Sequence, residues 1–296
     1  MGMVAVKPPY TLILRDDDMI ESPRETDDCF GTMVCWHRHY NLGDKHDYSD
    51  PEDFLRQNLF SICSSQPFYG KPVYDFIKSG KAENARMEYN KSTHEWELLE
   101  NQHWSSNRDW YASSGYPASL KGKEVPDWFL DECISALRME EMLGLLEDTG
   151  GMVILPLYLY DHSGITMNTT GFHCPWDSGQ VGWIYADKDK ILSEFGGDKL
   201  TPELREKAEK LIRGEVDYYD HYIRGDCYGF QLYKEDEEID SCWGFIGDQD
   251  DLRDAIEEYM PEDCKGIMNN LTYRYDDPDI EDILQEQEDE LGMEVG

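Results

Sequence analysis

An α+β fold is the expectation for this 296-residue chain, with a mixed or antiparallel sheet, flanking helices and an acidic C-terminal segment. Three observations carry it. Apolar runs of strand length, at 152–160 and 228–233, are interspersed with helical patterns that have their own start signals. Hydrophobic residues make up 40% of the chain and aromatic residues 12%, enough for a packed core although 30% of residues are charged. The last stretch, 276–296, holds ten Asp and Glu and no Lys or Arg.

Residues 10–14 read as a short strand, after which Asp16-Asp17-Asp18 opens a polar loop. Residues 31–39 read as a second strand. Ser49 or Asp50 caps a helix with Pro51 in its first turn and Phe54, Leu55, Asn58, Leu59 and Ile62 on its buried face. The stretch 64–124 is rich in turn formers and isolated aromatics (Trp96, Trp104, Trp110, Tyr111), so it reads as irregular and partner-facing. Pro126 opens a helix to about Glu147 with Phe129, Cys133, Leu137 and Leu145 inward, and Gly150-Gly151 ends it. Residues 152–160 and 181–186 are buried strands. Thr201-Pro202 starts a helix that runs to about Ile223. Residues 228–233 and 241–246 pair as a hairpin around 235–238, and 248–260 form a helix with an acidic outer face. The organisation is one domain over 1–275, with a sub-boundary near 120–126, followed by the acidic segment 276–296. In that segment Ile280, Ile283, Leu284 and Leu291 fall near helical spacing. Self-repulsion opposes an isolated helix there, so ordering against the body or a basic partner is expected.

No apolar run approaches the roughly 18 residues of a membrane-spanning helix, and the N-terminus lacks the basic-then-apolar pattern of a signal peptide. A cytoplasmic protein is expected. The eight cysteines are scattered with no C-x-x-C pair, which favours free thiols over disulfides.

Charge is the most informative property. There are 27 Lys and Arg against 63 Asp and Glu, a net −36. Residues 234–296 hold 23 acids against Lys234, Arg253, Lys265 and Arg274, a net −19, which leaves −17 for the other 233 residues. Such a chain repels nucleic acid and anionic membranes and attracts basic surfaces. A DNA duplex exposes about 110 Å² per charge. Surface scaling gives this chain about 360 Å² per net charge overall, and roughly 200 Å² over its last 63 residues. Mimicry of DNA is therefore a local expectation and not a property of the whole surface. The candidate partner-binding acids are Glu235, Asp236, Glu237, Glu238, Asp250, Asp251, Asp254, Glu257, Glu258, Asp276, Asp277 and Asp279. The bland alternative is that acidic segments serve only solubility.

Two other constellations bear on chemistry. The strand at 152–160 delivers Asp161, His162 and Ser163 to a sheet edge, and a glycine-rich turn brings His173, Cys174, Asp177 and Ser178 near the next strand. A thiol nucleophile at Cys174 with His162 or His173 as base and Asp177 as orienter fits these types. The competing reading is side-chain-bonded turns with Cys174 and Trp176 packed in the core. Cys35, His37 and His39 share one face if they lie on a strand, and these are zinc-ligand types, although C-x-H-x-H is not a standard spacing. No phosphate loop, dinucleotide fingerprint or metalloprotease motif is present, and no cofactor is expected.

The strings Cys35-Trp36-His37-Arg38-His39-Tyr40-Asn41-Leu42-Gly43-Asp44, 155–167, 174–182 and Asp240-Ser241-Cys242-Trp243-Gly244-Phe245 together resemble a family of mostly uncharacterised acidic proteins carried by phages and mobile elements of bacteria. The resemblance covers residues 30–260 in patches. It implies an origin and not a reaction. Genes in that setting often encode inhibitors of host defence, among them DNA-mimicking antirestriction proteins and the phage inhibitor of the Gabija system, which is similar in length and acidity; no functional residue carries over from either. The expectation is a binding or inhibitory protein and not an enzyme, with a host defence protein bearing a basic nucleic-acid-binding surface as partner, and no direct contact with nucleic acid or membrane. A small cysteine/histidine enzyme and a metal-stabilised binding module are the alternatives. Self-association is left open and, between like-charged copies, should strengthen with salt.

Overall fold

A computed structural model describes residues 2–26, 28–101, 109–274 and 279–286. In chain order its elements are β1 (Gly2–Lys7), β2 (Tyr10–Asp16), α1 (Pro23–Thr26), β3 (Thr32–Cys35), α2 (Pro51–Ser64), α3 (Lys71–Lys78), β4 (Ala85–Asn90), β5 (Glu95–Asn101), β6 (Trp110–Pro117), α4 (Asp127–Ser135), α5 (Met139–Leu145), β7 (Val153–Asp161), β8 (Ile165–Asn168), β9 (Ser178–Ala186), α6 (Lys188–Phe195), α7 (Pro202–Arg224), β10 (Cys227–Lys234), β11 (Glu237–Ile246), α8 (Gln249–Glu257) and β12 (Thr272–Arg274). A further helical stretch covers 280–286. The class is α+β with antiparallel sheets and flanking helices, as the sequence predicts. Among the described residues no helix is long and apolar enough to cross a membrane.

The chain divides into two compact units, each discontinuous in sequence: Met1–Cys29 with Leu157–Gln180 and Arg213–Gly296, and Phe30–Pro156 with Val181–Ile212. None of these divisions falls near 120–126.

The first unit is organised by a five-stranded antiparallel sheet in the order β11-β10-β2-β1-β12. Alternation along β2 sends Leu12 and Leu14 to one face and Ile13 to the other. On the first face they join Phe230, Leu232 and the inward residues Leu252 and Ile256 of α8. On the opposite face Val4, Ile13 and Tyr233 pack with Ile283 of the 280–286 helix, and Ile280 flanks them. The expected apolar stripe in the acidic segment is thus seated on the body through Ile280 and Ile283; Leu291 lies outside the described residues. The hairpin β10–β11 forms where the sequence places it, with irregular register between Tyr228 and Gly229 and between Leu232 and Tyr233. Gly229 lies under the Trp243 ring, and a Cβ there would overlap it.

The second unit has an aromatic centre. Phe54 of α2 is fully buried, stacked on Trp183 at 5.6 Å and edge-on to Tyr48 at 5.1 Å, with Tyr185 at 5.3 Å. The α2 start follows the sequence: Asp50 caps it, its carboxylate accepting from the Asp53 N–H at 2.8 Å, and Pro51 occupies the first turn. The stretch 64–124 is not irregular. It contains α3 and a three-stranded antiparallel sheet, β4-β5-β6. Its scattered aromatics are stacked under cations, Lys78 over Trp96 at 4.0 Å and Arg86 over Trp110 at 3.9 Å. Trp104 lies outside the described residues. The helix expected over 126–147 is two helices, α4 and α5. Glu141 marks the break: its carboxylate accepts from the Arg138 N–H three residues back at 2.9 Å, a local cap for a new N-terminus, and from the Glu83 N–H at 2.8 Å, which ties that N-terminus to a distant part of the chain.

Candidate functional site

The carboxylates singled out from the sequence fall on two adjoining elements of the first unit, the β10–β11 hairpin and α8, which packs on β11. At the hairpin tip Glu235 takes a left-handed conformation (φ 59°) and donates its N–H to the Pro9 carbonyl at 2.8 Å. That bond fixes the tip and leaves the side chains of Glu235, Asp236 and Glu237 exposed. Glu238 is exposed but engaged, accepting from Gln231 at 2.9 Å and Tyr233 at 3.2 Å.

Asp248 caps α8, accepting from the Asp250 and Asp251 N–H groups, which hold its carboxyl below the usual range. Leu252 and Ile256 turn into the core, so helical spacing sends Asp250, Asp251, Asp254 and Glu258 outward. Asp250 pairs with Arg253 at 3.0 Å. Glu257 is committed to the fold: both its oxygens accept from the Gly266 N–H at 2.9 Å. Five carboxylates, Glu235, Asp236, Glu237, Asp254 and Glu258, are left exposed with no ion pair or hydrogen bond among the described residues. Asp276 and Asp277 lie outside the described residues. Asp279 begins the 280–286 helix, accepting from the Glu281 N–H at 2.9 Å.

Charge is unequal between the units. The first holds 9 Lys and Arg against 36 Asp and Glu in 137 residues, net −27; the second holds 18 against 27 in 159, net −9. The accessible surface of 17731 Å² gives about 490 Å² per net charge, more than fourfold sparser than duplex DNA. A resemblance to a polyanion is therefore not a property of the whole surface.

The thiol constellation comes together around one carboxylate. β7 ends at Asp161 and a tight turn through His162, Ser163 (φ 61°) and Gly164 leads into β8. The Asp161 N–H bonds the Asp177 carbonyl at 2.8 Å, which brings the two loops together. The Asp177 carboxylate then sits 3.4 Å from the Cys174 sulfur and 3.7 Å from His162 Nδ1. The acid lies between thiol and imidazole, an order that orients no base toward the sulfur. Among the described residues neither His162 nor His173 bonds Cys174. The Ser178 hydroxyl closes the turn on the Cys174 carbonyl at 2.5 Å, the side-chain-bonded turn that competed with catalysis in the sequence.

Cys35, His37 and His39 do not share a strand face, because β3 ends at Cys35. His37 stacks on Tyr40 at 5.0 Å, and its Nδ1 accepts from the His39 N–H at 3.3 Å. His46 Nε2 meets the Cys35 carbonyl at 3.0 Å. All eight cysteines are free thiols. Burial pushes Cys63 up to about 12 and Cys227 and Cys264 up to about 11, so these stay protonated and apolar.

One feature escaped the sequence reading. α7 ends on Gly225 (φ 82°), with Gly225 N–H bonding Tyr222 O at 3.0 Å and Asp226 N–H bonding His221 O at 2.9 Å. This is a Schellman closure, and it folds Asp226 back onto His221, with Nδ1 to Oδ2 at 2.9 Å. The string His221-Tyr222-Ile223-Arg224-Gly225-Asp226, a helix end with glycine at the cap, was the available signal. His221, Asp248 and Asp251 are the one group of metal-ligand types among the described residues whose donor atoms lie within 4.8 Å of one another. Both acids stand in the first turn of α8 and already accept backbone N–H groups there. Set beside protein-family models, characterised proteins and solved structures, the chain matches none of them.

Proposed function

We propose that the protein is a binding protein whose β10–β11 hairpin and α8 occupy the basic surface of a nucleic-acid-handling partner and thereby inhibit it. The setting implied by the phage and mobile-element resemblance makes a host defence nucleoprotein that partner. The observation that carries the reading is the set of five exposed carboxylates with no ion pair or hydrogen bond among the described residues, on a unit of net −27. Acids that stabilised only their own fold would be paired or capping, as Glu257, Asp248 and Asp279 are. Unpaired acids on a rigid hairpin and helix keep their charge available to Lys and Arg on another surface, which raises association rate and specificity.

Co-purification with restriction and Gabija-type nucleases, followed by competition with duplex DNA, tests it. DNA should displace the protein, and Asp254→Asn with Glu258→Gln should weaken capture about tenfold and flatten its salt dependence. Capture that persists on a DNA-saturated nuclease removes occupation of the basic surface as the mechanism.

A further inference from the structure

A second feature of cation-binding character lies in the other unit, remote in sequence from the hairpin. The outward stripe of α2 and the first turns of α4 enclose a groove of about 320 Å³. Asp53, Arg56 and Phe60 stand at i, i+3 and i+7 of α2, so they share one face. Asp127, Trp128 and Asp131 face them from α4. The opposite sides of both helices bury Phe54, Leu55, Leu59, Phe129 and Cys133 in one core, which fixes the two walls against each other.

The charges in the groove are not balanced. Arg56 is consumed by Asp131, meeting both its oxygens at 3.1 and 3.3 Å. Asp53 is held as an anion: the Gln57 amide at 2.9 Å and the Ser49 N–H at 3.0 Å keep its carboxyl below the usual range. Asp127 has no hydrogen bond or ion pair among the described residues. Three carboxylates against one guanidinium leave the groove a net −2, with Asp53 also hydrogen-bonded within its own helix start, beside an indole that is 53% exposed. An indole face and carboxylates together recognise a cation on an apolar stem. The volume exceeds what a bare ammonium or metal ion fills and suits a long side chain with its flanking backbone.

We propose that this groove is an anchor pocket for one arginine or lysine side chain of the basic partner, its cation between Asp53 and Asp127 and its stem on Trp128. The inference rests on the reading that the partner is a basic protein, and places a contact outside the acidic hairpin and α8. It adds what the charge field lacks, a buried anchor at which shape and charge are read together.

The probe is the peptide amide Gly-Ser-Arg-Ser-Gly, titrated into the full chain while the indole N–H of Trp128 is followed by NMR, with Trp128→Phe supplying the assignment. The peptide should shift that resonance saturably, and its citrulline analogue should bind at least about tenfold more weakly. Asp127→Asn should weaken the arginine peptide about threefold to fivefold with an unchanged urea midpoint, while Asp254→Asn with Glu258→Gln should leave it alone. Equal binding of the citrulline peptide, or shifts confined to β11 and α8, overturns the anchor. Methylguanidine binding as tightly as the peptide also overturns it, in favour of a site for a free cation. In nuclease capture, loss on neutralising Asp254 and Glu258 without loss on Asp127→Asn sinks the anchor and leaves the acidic-face reading standing.

Discussion

The two units solve opposite problems with similar amounts of chain. The second buries a ring cluster, with Trp36, Tyr48, Trp183 and Tyr185 around Phe54, and carries net −9. The first has mixed aliphatic and aromatic layers on the two faces of one sheet and carries three times that charge, −27. Like charges packed on a folded surface repel one another and favour expansion. The first unit therefore holds together against more self-repulsion than the second carries. The asymmetry teaches that the acidity is not spread evenly as a solubility coat would be; three quarters of the net charge belongs to the first unit.

The comparison breaks most readily at the two cores. Phe54→Ala should cost about 3–5 kcal/mol in urea unfolding, and a cost under about 1 kcal/mol would show that the rings do not organise the second unit. Ile283→Asp should release the 280–286 helix from Val4, Ile13 and Tyr233 and cost about 2 kcal/mol. Hydrogen exchange would show it as loss of protection at 280–286 and on β1 and β2, with β4–β6 unaltered.

Salt sharpens the contrast. Raising ionic strength from about 20 mM to about 0.5 M should increase amide protection in β10, β11 and α8 by about 1 kcal/mol more than in β4–β6. An equal rise in both units would mean that repulsion in the first is already offset by its internal pairs. The smallest effect is a titration. Burial holds the Glu147 carboxyl above its usual range despite Arg205 nearby, so its ionised form costs stability at neutral pH. Glu147→Gln should gain a few tenths of a kcal/mol at pH 7. Because the folded value is raised, that gain is present above it and disappears as pH falls through it, so wild type and variant converge at about pH 4.

Legibility in the sequence followed how local the determining contact is. The Asp50-Pro51 start of α2 and the β10–β11 hairpin were readable because cap and turn lie within a few residues of what they control. The β4-β5-β6 sheet was not, because it buries mainly Ala85, Met87, Leu98 and Tyr116 and leaves little period-two signal. The break between α4 and α5 carries a local cap at Arg138, but Glu141 also reaches back to Glu83, a contact no window along the chain contains. The acids of the candidate face were legible as composition. Which of them are spent internally was not, since Glu257 differs from Glu258 only in facing Gly266. The trio around Asp177 shows the reverse: the residue types were legible, but not their spatial order, with the acid between thiol and imidazole, nor the burial, since Trp176, expected in the core, is 92% exposed and Cys174 only half-buried.

The Trp243 ring lying across Gly229 makes what one strand of the hairpin can inherit depend on the other. Any side chain at 229 must first displace the ring, so position 229 is not free to drift on its own. Variants that tolerate alanine or serine at 229 should be those that have already exchanged Trp243 for something smaller, so in a random library of the hairpin changes at 229 should be recovered almost only together with a change at 243, while changes at 243 need no companion.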